Sequence, residues 1–302
     1  MIYLFFSLQE RPLKNLIEVN LSCCEFITEI PKLWAPNLSS LELRGCKNLV
    51  KLTELRAPNL WYLDLSSCQN LVEIDECFGS HEKLRKWFLN GCRKLQILPS
   101  QLRLKSLCSF FLRDCSSLEK LPNFHPEMEC LEKLDLNGSG IREVPSSIEH
   151  LTKLKELKLY KCKNLRDLPD SIYKLQQLMW LDTPTAKLRP TCDSFDGSSG
   201  YGFVNMTQLN LWGCEGIIES DLLMKPDYFP AVEFLNLSCT NIVTIPESIS
   251  RFPRLKQLYA RDCKLLREIQ GLPQSIRWVH VEGSMLLNTS PSGLFNQVSL
   301  FL

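Results

Sequence analysis

Leucines recur along this chain with a spacing that suits neither a continuous amphipathic helix nor a lone alternating strand. The run Leu38-Ser-Ser-Leu41-Glu-Leu43-Arg-Gly-Cys46-Lys-Asn-Leu49 returns as Leu60-Trp-Tyr-Leu63-Asp-Leu65-Ser-Ser-Cys68-Gln-Asn-Leu71. It returns again at Leu84…Cys92…Leu95, Leu107…Cys115…Leu118 and Leu154…Cys162…Leu165, with weaker copies from Leu16, Leu131, Leu178, Met206, Val232, Leu255 and Ile276. Twelve starts between residues 16 and 276 give a mean step of about 24 residues, a supersecondary repeat rather than a local periodicity. Within LxxLxLxxCxxLxxLP, the LxL alternation puts two leucines on one face of a short strand and the residues between them on the other. The next apolar position and the Leu-Pro step turn the chain back. Pro31, Pro99, Pro122, Pro145, Pro169 and Pro246 fall at that step, where a fixed φ and a missing N–H suit a coil that stops pairing.

The pattern and its length are those of a leucine-rich repeat. A single coil cannot bury its own apolar face, so coils must stack and pair their strands. The expected fold is therefore an α/β leucine-rich-repeat solenoid, a horseshoe of about twelve repeats with a parallel β-sheet on its concave face. The expected organisation is an N-terminal partial repeat over 1–15, the solenoid over 16–287, and a truncated tail after the repeats over 288–302. The steps Leu178 to Met206 and Met206 to Val232 are longer than the mean. The first holds Thr183–Asn205, rich in Pro, Gly and Ser, which reads as an inserted loop. Its Gly197-Ser-Ser-Gly200-Tyr-Gly202 lacks the Lys-Ser/Thr of a phosphate loop. The second holds Glu215–Pro230, which reads as a short helix on the convex side. Neither end of the solenoid carries an evident polar cap.

Fourteen cysteines are present and no CxxC. Eight of them, Cys24, Cys46, Cys68, Cys92, Cys115, Cys162, Cys214 and Cys263, share one repeat position, so they read as turn-packing residues rather than a disulfide framework or a zinc site. Such a ladder of thiols points to a reducing compartment. Cys23, Cys77, Cys108, Cys130, Cys192 and Cys239 show no common spacing. Lys plus Arg is 35 against 34 Asp plus Glu, a net charge of +1, which supplies no field for nucleic acid or an anionic membrane. No segment reaches the roughly 18 apolar residues of a membrane span. Met1–Leu8 lacks a basic flank and a cleavage site and reads as a buried strand rather than a signal peptide.

Catalytic chemistry is not legible. His81, His125, His150 and His280 fall in different coils, and only His280 lands on a strand, facing outward. GxSxG and HExxH are absent. No catalytic residue, metal ligand or cofactor site is expected. N-x-S/T sequons at Asn20, Asn37, Asn137, Asn205, Asn236 and Asn288 read as chance products of strand composition.

Function is expected on the outward strand positions, the third, fifth and seventh of LxxLxLxx. These columns hold Tyr62, Phe88, Phe111, Tyr160, Trp180, Trp212, Phe234, Tyr259 and Trp278, with Arg113, Lys158 and Arg261 among their charged neighbours. The core does not need an outward ring at so many coils, and aromatics with arginine are the usual anchors of a protein interface. The basic run Lys153, Lys155, Lys158, Lys161, Lys163 and Arg166 reads either as a dock for an acidic surface or as a solvated coil.

Val144-Pro-Ser-Ser-Ile148 through Leu168-Pro-Asp-Ser-Ile172 stands as LPxSIxxLxxLxxLxLxxCxNLxxLPxSI, with Val144 in place of the first Leu. It resembles the leucine-rich-repeat region of plant intracellular immune receptors of the TIR–nucleotide-binding–LRR class. Asn137-Gly-Ser-Gly-Ile141-Arg-Glu-Val144-Pro145 resembles their recurring SGTxIxELP coil, and Ser238-Cys-Thr240-Asn-Ile242 repeats that variation. Leu266-Arg-Glu-Ile269-Gln-Gly-Leu272-Pro273 resembles the LREIxxLP coil near the end of that region. The resemblance covers roughly 13–290. It implies a non-catalytic recognition and autoinhibitory module that senses a pathogen effector or a guarded host protein. It also implies an intramolecular nucleotide-binding partner in the intact receptor and a location in the cytoplasm or nucleus. The TIR and nucleotide-binding domains of that class have no counterpart in this sequence, so their chemistry attaches to no residue here. Two other readings stay open: a substrate-recruiting LRR adaptor of a ubiquitin ligase, and a free-standing scaffold LRR protein.

Overall fold

The computed structural model describes residues 12–30, 32–184, 203–214 and 226–284. The chain divides into two compact units, Met1–Leu154 with Lys161–Asn164, and Lys155–Tyr160 with Leu165–Leu302.

In the first unit six short strands pair in parallel in chain order: β1 (Glu18–Asn20), β2 (Ser40–Glu42), β3 (Tyr62–Asp64), β4 (Lys86–Phe88), β5 (Ser109–Phe111) and β6 (Lys133–Asp135). In the second, β7 (Glu156–Lys158), β8 (Trp180–Asp182), β9 (Gln208–Asn210), β10 (Phe234–Asn236), β11 (Gln257–Tyr259) and β12 (Trp278–His280) do the same. Each strand begins two residues after a repeat start, and each pairing is in register by repeat position. Both units are parallel β-solenoids with the leucine-rich-repeat pattern.

The return halves contain little helix. Among the described residues they are turns, two-residue strands and 3-10 helices, such as Ser146–His150, Asp170–Lys174 and Glu247–Arg251. Pro145, Pro169 and Pro246 directly precede these three helices with φ of −65°, −69° and −74°. At these coils the proline does more than end pairing: its fixed φ starts a tight turn. Pro31, residues 185–202 of the expected loop, and residues 215–225 of the expected convex helix lie outside the described residues. Pro226–Tyr228 forms a 3-10 turn. On the far side of the loop Phe203 is buried between Tyr173 and Phe229, with ring centroids at 5.2 and 5.7 Å.

The repeat cysteines form a ladder. The Cys46, Cys68, Cys92, Cys115 and Cys162 thiols donate to the carbonyls of Leu21, Leu43, Leu65, Leu89 and Leu136 in the preceding coil, at 3.0–3.1 Å. Cys214 and Cys263 reach Thr183 and Leu237 at 3.2 Å. The same carbonyl also takes an N–H from its own coil, as Leu43 does from Cys46. Each thiol thus joins two coils at a buried turn, giving its own S–H an acceptor and filling the second lone pair of that carbonyl. Ser284 makes the same bond with a hydroxyl, donating to Ala260 at 2.8 Å.

The residue before each ladder position is left-handed. Gly45, Gly91, Gly138, Gly213 and Gly283 have positive φ, and so do Cys23, Ser67, Asp114, Lys161, Cys239 and Asp262. Cys23 and Cys239 therefore do share a repeat position, one residue before the ladder, contrary to the expectation of no common spacing. Side chains at the strand ends brace the same turn. The Asn20, Asp64, Asp135, Asn210 and Asn236 side-chain oxygens accept the N–H two residues on, at 2.8–3.2 Å. The Asn of several sequons thus has a structural role of its own. Asn20, Asn37 and Asn205 spend their side-chain N–H on Glu42, the Lys14 carbonyl and the Gln176 carbonyl.

Two glycines test this geometry. In the Ser139-Gly140-Ile141 coil one residue fewer separates the ladder position from the next apolar residue than in the Cys115–Leu118 coil. The chain is pulled in until a Cβ on Gly140 would overlap the Ser116 carbonyl. Gly213 has φ +66° but open space around it. Gly213→Ala should therefore cost only the backbone penalty, about 1 kcal/mol. Gly140→Ala should cost about 3 kcal/mol through overpacking against backbone. Urea midpoints of the two variants measure the difference, and equal midpoints would refute the close approach.

Candidate functional site

The outward sheet face is built by register. A residue on one strand faces its equivalent on the next, so rings at the same repeat position meet when two coils in a row carry them. In the first unit Phe88 ends β4 and Phe111 ends β5. Their rings stack at 5.1 Å with 14° between planes. Tyr62 at the start of β3 joins them, 5.5 Å from Phe88. Burial pushes the Tyr62 phenol up, aided by the Asp64 and Glu42 charges. Arg113, beyond β5, pairs with Asp135 at 3.2 Å.

The second unit holds the remaining expected residues as two pairs, one trio and Trp278 apart from them. Lys158 sits 4.5 Å from the Trp180 ring, and the indole N–H donates to Asp182 at 2.6 Å. Tyr160 meets Trp212 edge-on at 5.1 Å across the intervening coil. Further along, Phe234 lies 5.2 Å from Tyr259, and the Arg261 guanidinium lies 5.0 Å from the Tyr259 ring. Arg261 also pairs with Glu282 at 2.9 Å. Trp278 stands on β12 at 43% exposure, with no ring partner among the described residues. A cation over a ring contributes about 0.5–1 kcal/mol at exposed sites, so these groups hold their side chains in place.

Two participants lie outside the expected set of site residues. His280, expected only as an outward histidine, stacks on Tyr259 at 4.3 Å and meets Arg261 at 3.1 Å. The Glu282 carboxyl beside it is held below its usual range, first by its own backbone N–H and then by His280 and Arg261. Trp61 precedes β3 by one residue, outside the columns read as outward, yet is 42% exposed and 5.6 Å from Tyr62. Its signal is a large ring where the nearby coils carry Ile17, Ser39, Arg85 and Cys108.

The other histidines serve the backbone. His81 contacts the Cys77 carbonyl at 2.9 Å, His150 the Phe124 carbonyl at 2.9 Å, and His125 accepts the Glu127 N–H at 3.3 Å. Among the described residues no group of three His, Cys, Asp or Glu side chains is placed to hold a metal ion. No described helix is long and apolar enough to cross a membrane. Cys192 and the Asn288 sequon lie outside the described residues. Of the basic run, Lys158 lies on the aromatic face, where it also pairs with Glu156 at 3.5 Å.

The buried ladder thiols are chemically quiet. Burial pushes Cys68, Cys115 and Cys214 up to about 12 and raises Cys46, Cys92 and Cys162 as well. Thiolate is the reactive form, so buried thiols resist alkylation. Brief iodoacetamide treatment at pH 8 should modify exposed Cys23 and Cys239 and spare the buried ladder until the chain unfolds. Peptide mass spectrometry reads the pattern, and native alkylation of Cys92 or Cys115 would contradict it.

No curated protein matches the chain. Among solved structures, the APL1 leucine-rich repeat domain is 16% identical over 88% of this chain and 74% of its own, with a TM-score of 0.50. A Leptospira interrogans LRR protein is 18% identical over 88% and 84%, with a TM-score of 0.42. The functional domain of InlJ from Listeria monocytogenes, which includes a cysteine ladder, is 15% identical over 87% and 50%, with a TM-score of 0.40. At such identities the APL1 likeness is one of fold. A family profile described as disease resistance protein RPS4B-like, leucine-rich repeats, matches residues 103–289. That span is more than half of the sequence, and the chain belongs to this family of disease-resistance-protein leucine-rich repeats.

Proposed function

We propose that this chain is the recognition segment of a plant intracellular immune receptor of the TIR–nucleotide-binding–LRR class. It acts without catalysis of its own, in the cytoplasm or nucleus. Its outward sheet face contacts a protein, either a pathogen effector or a guarded host protein. In the intact receptor the same solenoid restrains the nucleotide-binding domain, and ligand shifts the balance by binding the released state better. The family supports a protein-recognition module. The observation that carries the finer reading is the grouping of outward rings with cations: Lys158 with Trp180, and Arg261 with Tyr259. These contacts lie on the face opposite the leucine core and contribute nothing to it. Preorganised aromatics and arginine supply contact area at low entropic cost.

The test replaces Trp180, Trp212 and Tyr259 with alanine, singly and together, in an intact receptor carrying this segment. Each single change should weaken ligand binding roughly 30-fold if the ring is an anchor. Unchanged recognition by the triple variant, with its fold intact, would remove the outward face from the mechanism.

A further inference from the structure

Beside Trp61 the first unit has an open recess of about 590 Å³, lined by Asn59, Trp61, Lys83, Arg85 and Ser106. Its charge is unusual for this unit. Elsewhere in the unit several cations pair with carboxylates on neighbouring coils: Lys47 with Glu25, Lys51 with Glu73, Arg103 with Glu127, and Arg142 with Glu119, at 2.7–3.1 Å. Lys83 and Arg85 are exposed and have no ion-pair partner among the described residues. The nearby Glu82 is taken by Lys105 at 3.1 Å, and Lys105 also meets Glu127 at 3.2 Å.

The recess is also organised in advance. Asn59 donates its side-chain N–H to the Pro36 carbonyl at 2.8 Å, which fixes the amide. The amide oxygen then accepts from Lys83 at 2.6 Å and holds the ammonium at the recess wall. Trp61 forms the apolar side and leads through Tyr62 to the Phe88–Phe111 stack. Two unpaired cations, an indole and a fixed amide make a site for a carboxylate followed by an apolar side chain.

We infer that this recess docks an acidic peptide segment of a protein partner. One carboxylate enters between Lys83 and Arg85, and a neighbouring apolar side chain lies on Trp61 and Tyr62. The inference rests on the chain being a protein-recognition module and names the chemistry one partner would present. The cations stand at one spot and do not continue as a stripe along the strand, since Asp64 ends the strand that Tyr62 begins and Glu42 faces it from the preceding strand, so the recess suits a single carboxylate rather than a phosphate backbone.

The full chain, labelled with 5-fluorotryptophan, is titrated with the peptide acetyl-Asp-Glu-Phe-Glu-Asp-amide and followed by fluorine NMR. The Trp61 resonance is assigned from Trp61→Phe. A saturable shift of that resonance is expected, absent with the Asn/Gln version of the peptide. Lys83→Glu with Arg85→Glu should raise the half-saturation point about tenfold or more. Lys94→Glu, an exposed lysine outside the recess, should change it less than about twofold. Unshifted resonances of the other tryptophans verify that the variants fold. No Trp61 shift, equal binding of the amide peptide, or an equal effect of Lys94→Glu would overturn the proposal. So would an equal response to inorganic phosphate, or tighter binding of a single-stranded RNA oligonucleotide. Trp180, Trp212 and Tyr259 do not line the recess, so the reading tested on them stands or falls separately.

Discussion

Raising the pH from 8 to 10.5 should remove about 6 kcal/mol of folding stability through three buried thiols alone. Cys68, Cys115 and Cys214 are pushed up to about 12 by burial, from an ordinary value of 9.0. Their folded pKa lies above the unfolded one. Their contribution is therefore fully present below pH 9 and is lost as the pH climbs from 9 toward 12. Between those limits each thiol costs about 1.4 kcal/mol per pH unit, because only the unfolded chain releases the proton. Cys46, Cys92 and Cys162 shift in the same direction and add to the loss. Domains of ordinary stability hold about 5–15 kcal/mol, so the chain should approach unfolding near pH 10.5. Urea midpoints at pH 8, 9, 10 and 10.5 test this. The triple variant Cys68→Ser, Cys115→Ser, Cys214→Ser should lose much of the alkaline slope yet still fold, since Ser284 already occupies a ladder position with a hydroxyl. A midpoint constant from pH 8 to 10.5 in the unmodified chain would falsify the ladder's role.

Trp87→Ala should be among the most damaging single changes in the core, at about 3–5 kcal/mol. Trp87 is fully buried and stacks on Phe110 at 5.0 Å. It fills a position that most other coils give to leucine. Its indole N–H has no hydrogen-bond partner among the described residues. A buried donor left unpaired costs about 1–3 kcal/mol, which Trp87→Phe would relieve while keeping a ring against Phe110. Trp87→Phe should thus change stability by less than about 1 kcal/mol, the lost volume offsetting the relieved donor. The contrast between the two variants is the measurement. If phenylalanine destabilises as much as alanine, the indole nitrogen has a role that this geometry lacks.

Both predictions draw on repeat positions visible in the sequence, and both need the stacking to acquire a magnitude. The twelve strands sit where the LxL pattern puts them, because alternation is a local property and the core face must be apolar at every coil. The ladder cysteines are legible for the same reason, as one small side chain per turn. The outward columns are legible too, since what is not leucine in LxL must face away from the core.

Which outward side chains touch was not legible. Phe88 and Phe111 stack because their coils are consecutive and in register, whereas Tyr160 reaches Trp212 across a whole intervening coil. The second contact depends on how far successive coils are offset, and no residue spacing states that. Trp61 was missed because it stands one position before its strand, where side-chain direction is set by the turn and not by alternation. The left-handed residue before each ladder position was hidden because Ser67, Asp114 and Lys161 fill it as well as glycine. A strained φ is tolerated there only because the coils on either side fix the turn.

The sequence by itself determined the repeat, the strand positions, the leucine core and the family. Those follow from period and residue type, which each coil carries alone. The tertiary structure decided which thiols bridge coils, which rings group on the outward face, and where cations stay unpaired. Those depend on distances between groups on neighbouring coils, 25–27 residues apart for the thiol bridges, and such distances exist only once the coils are stacked.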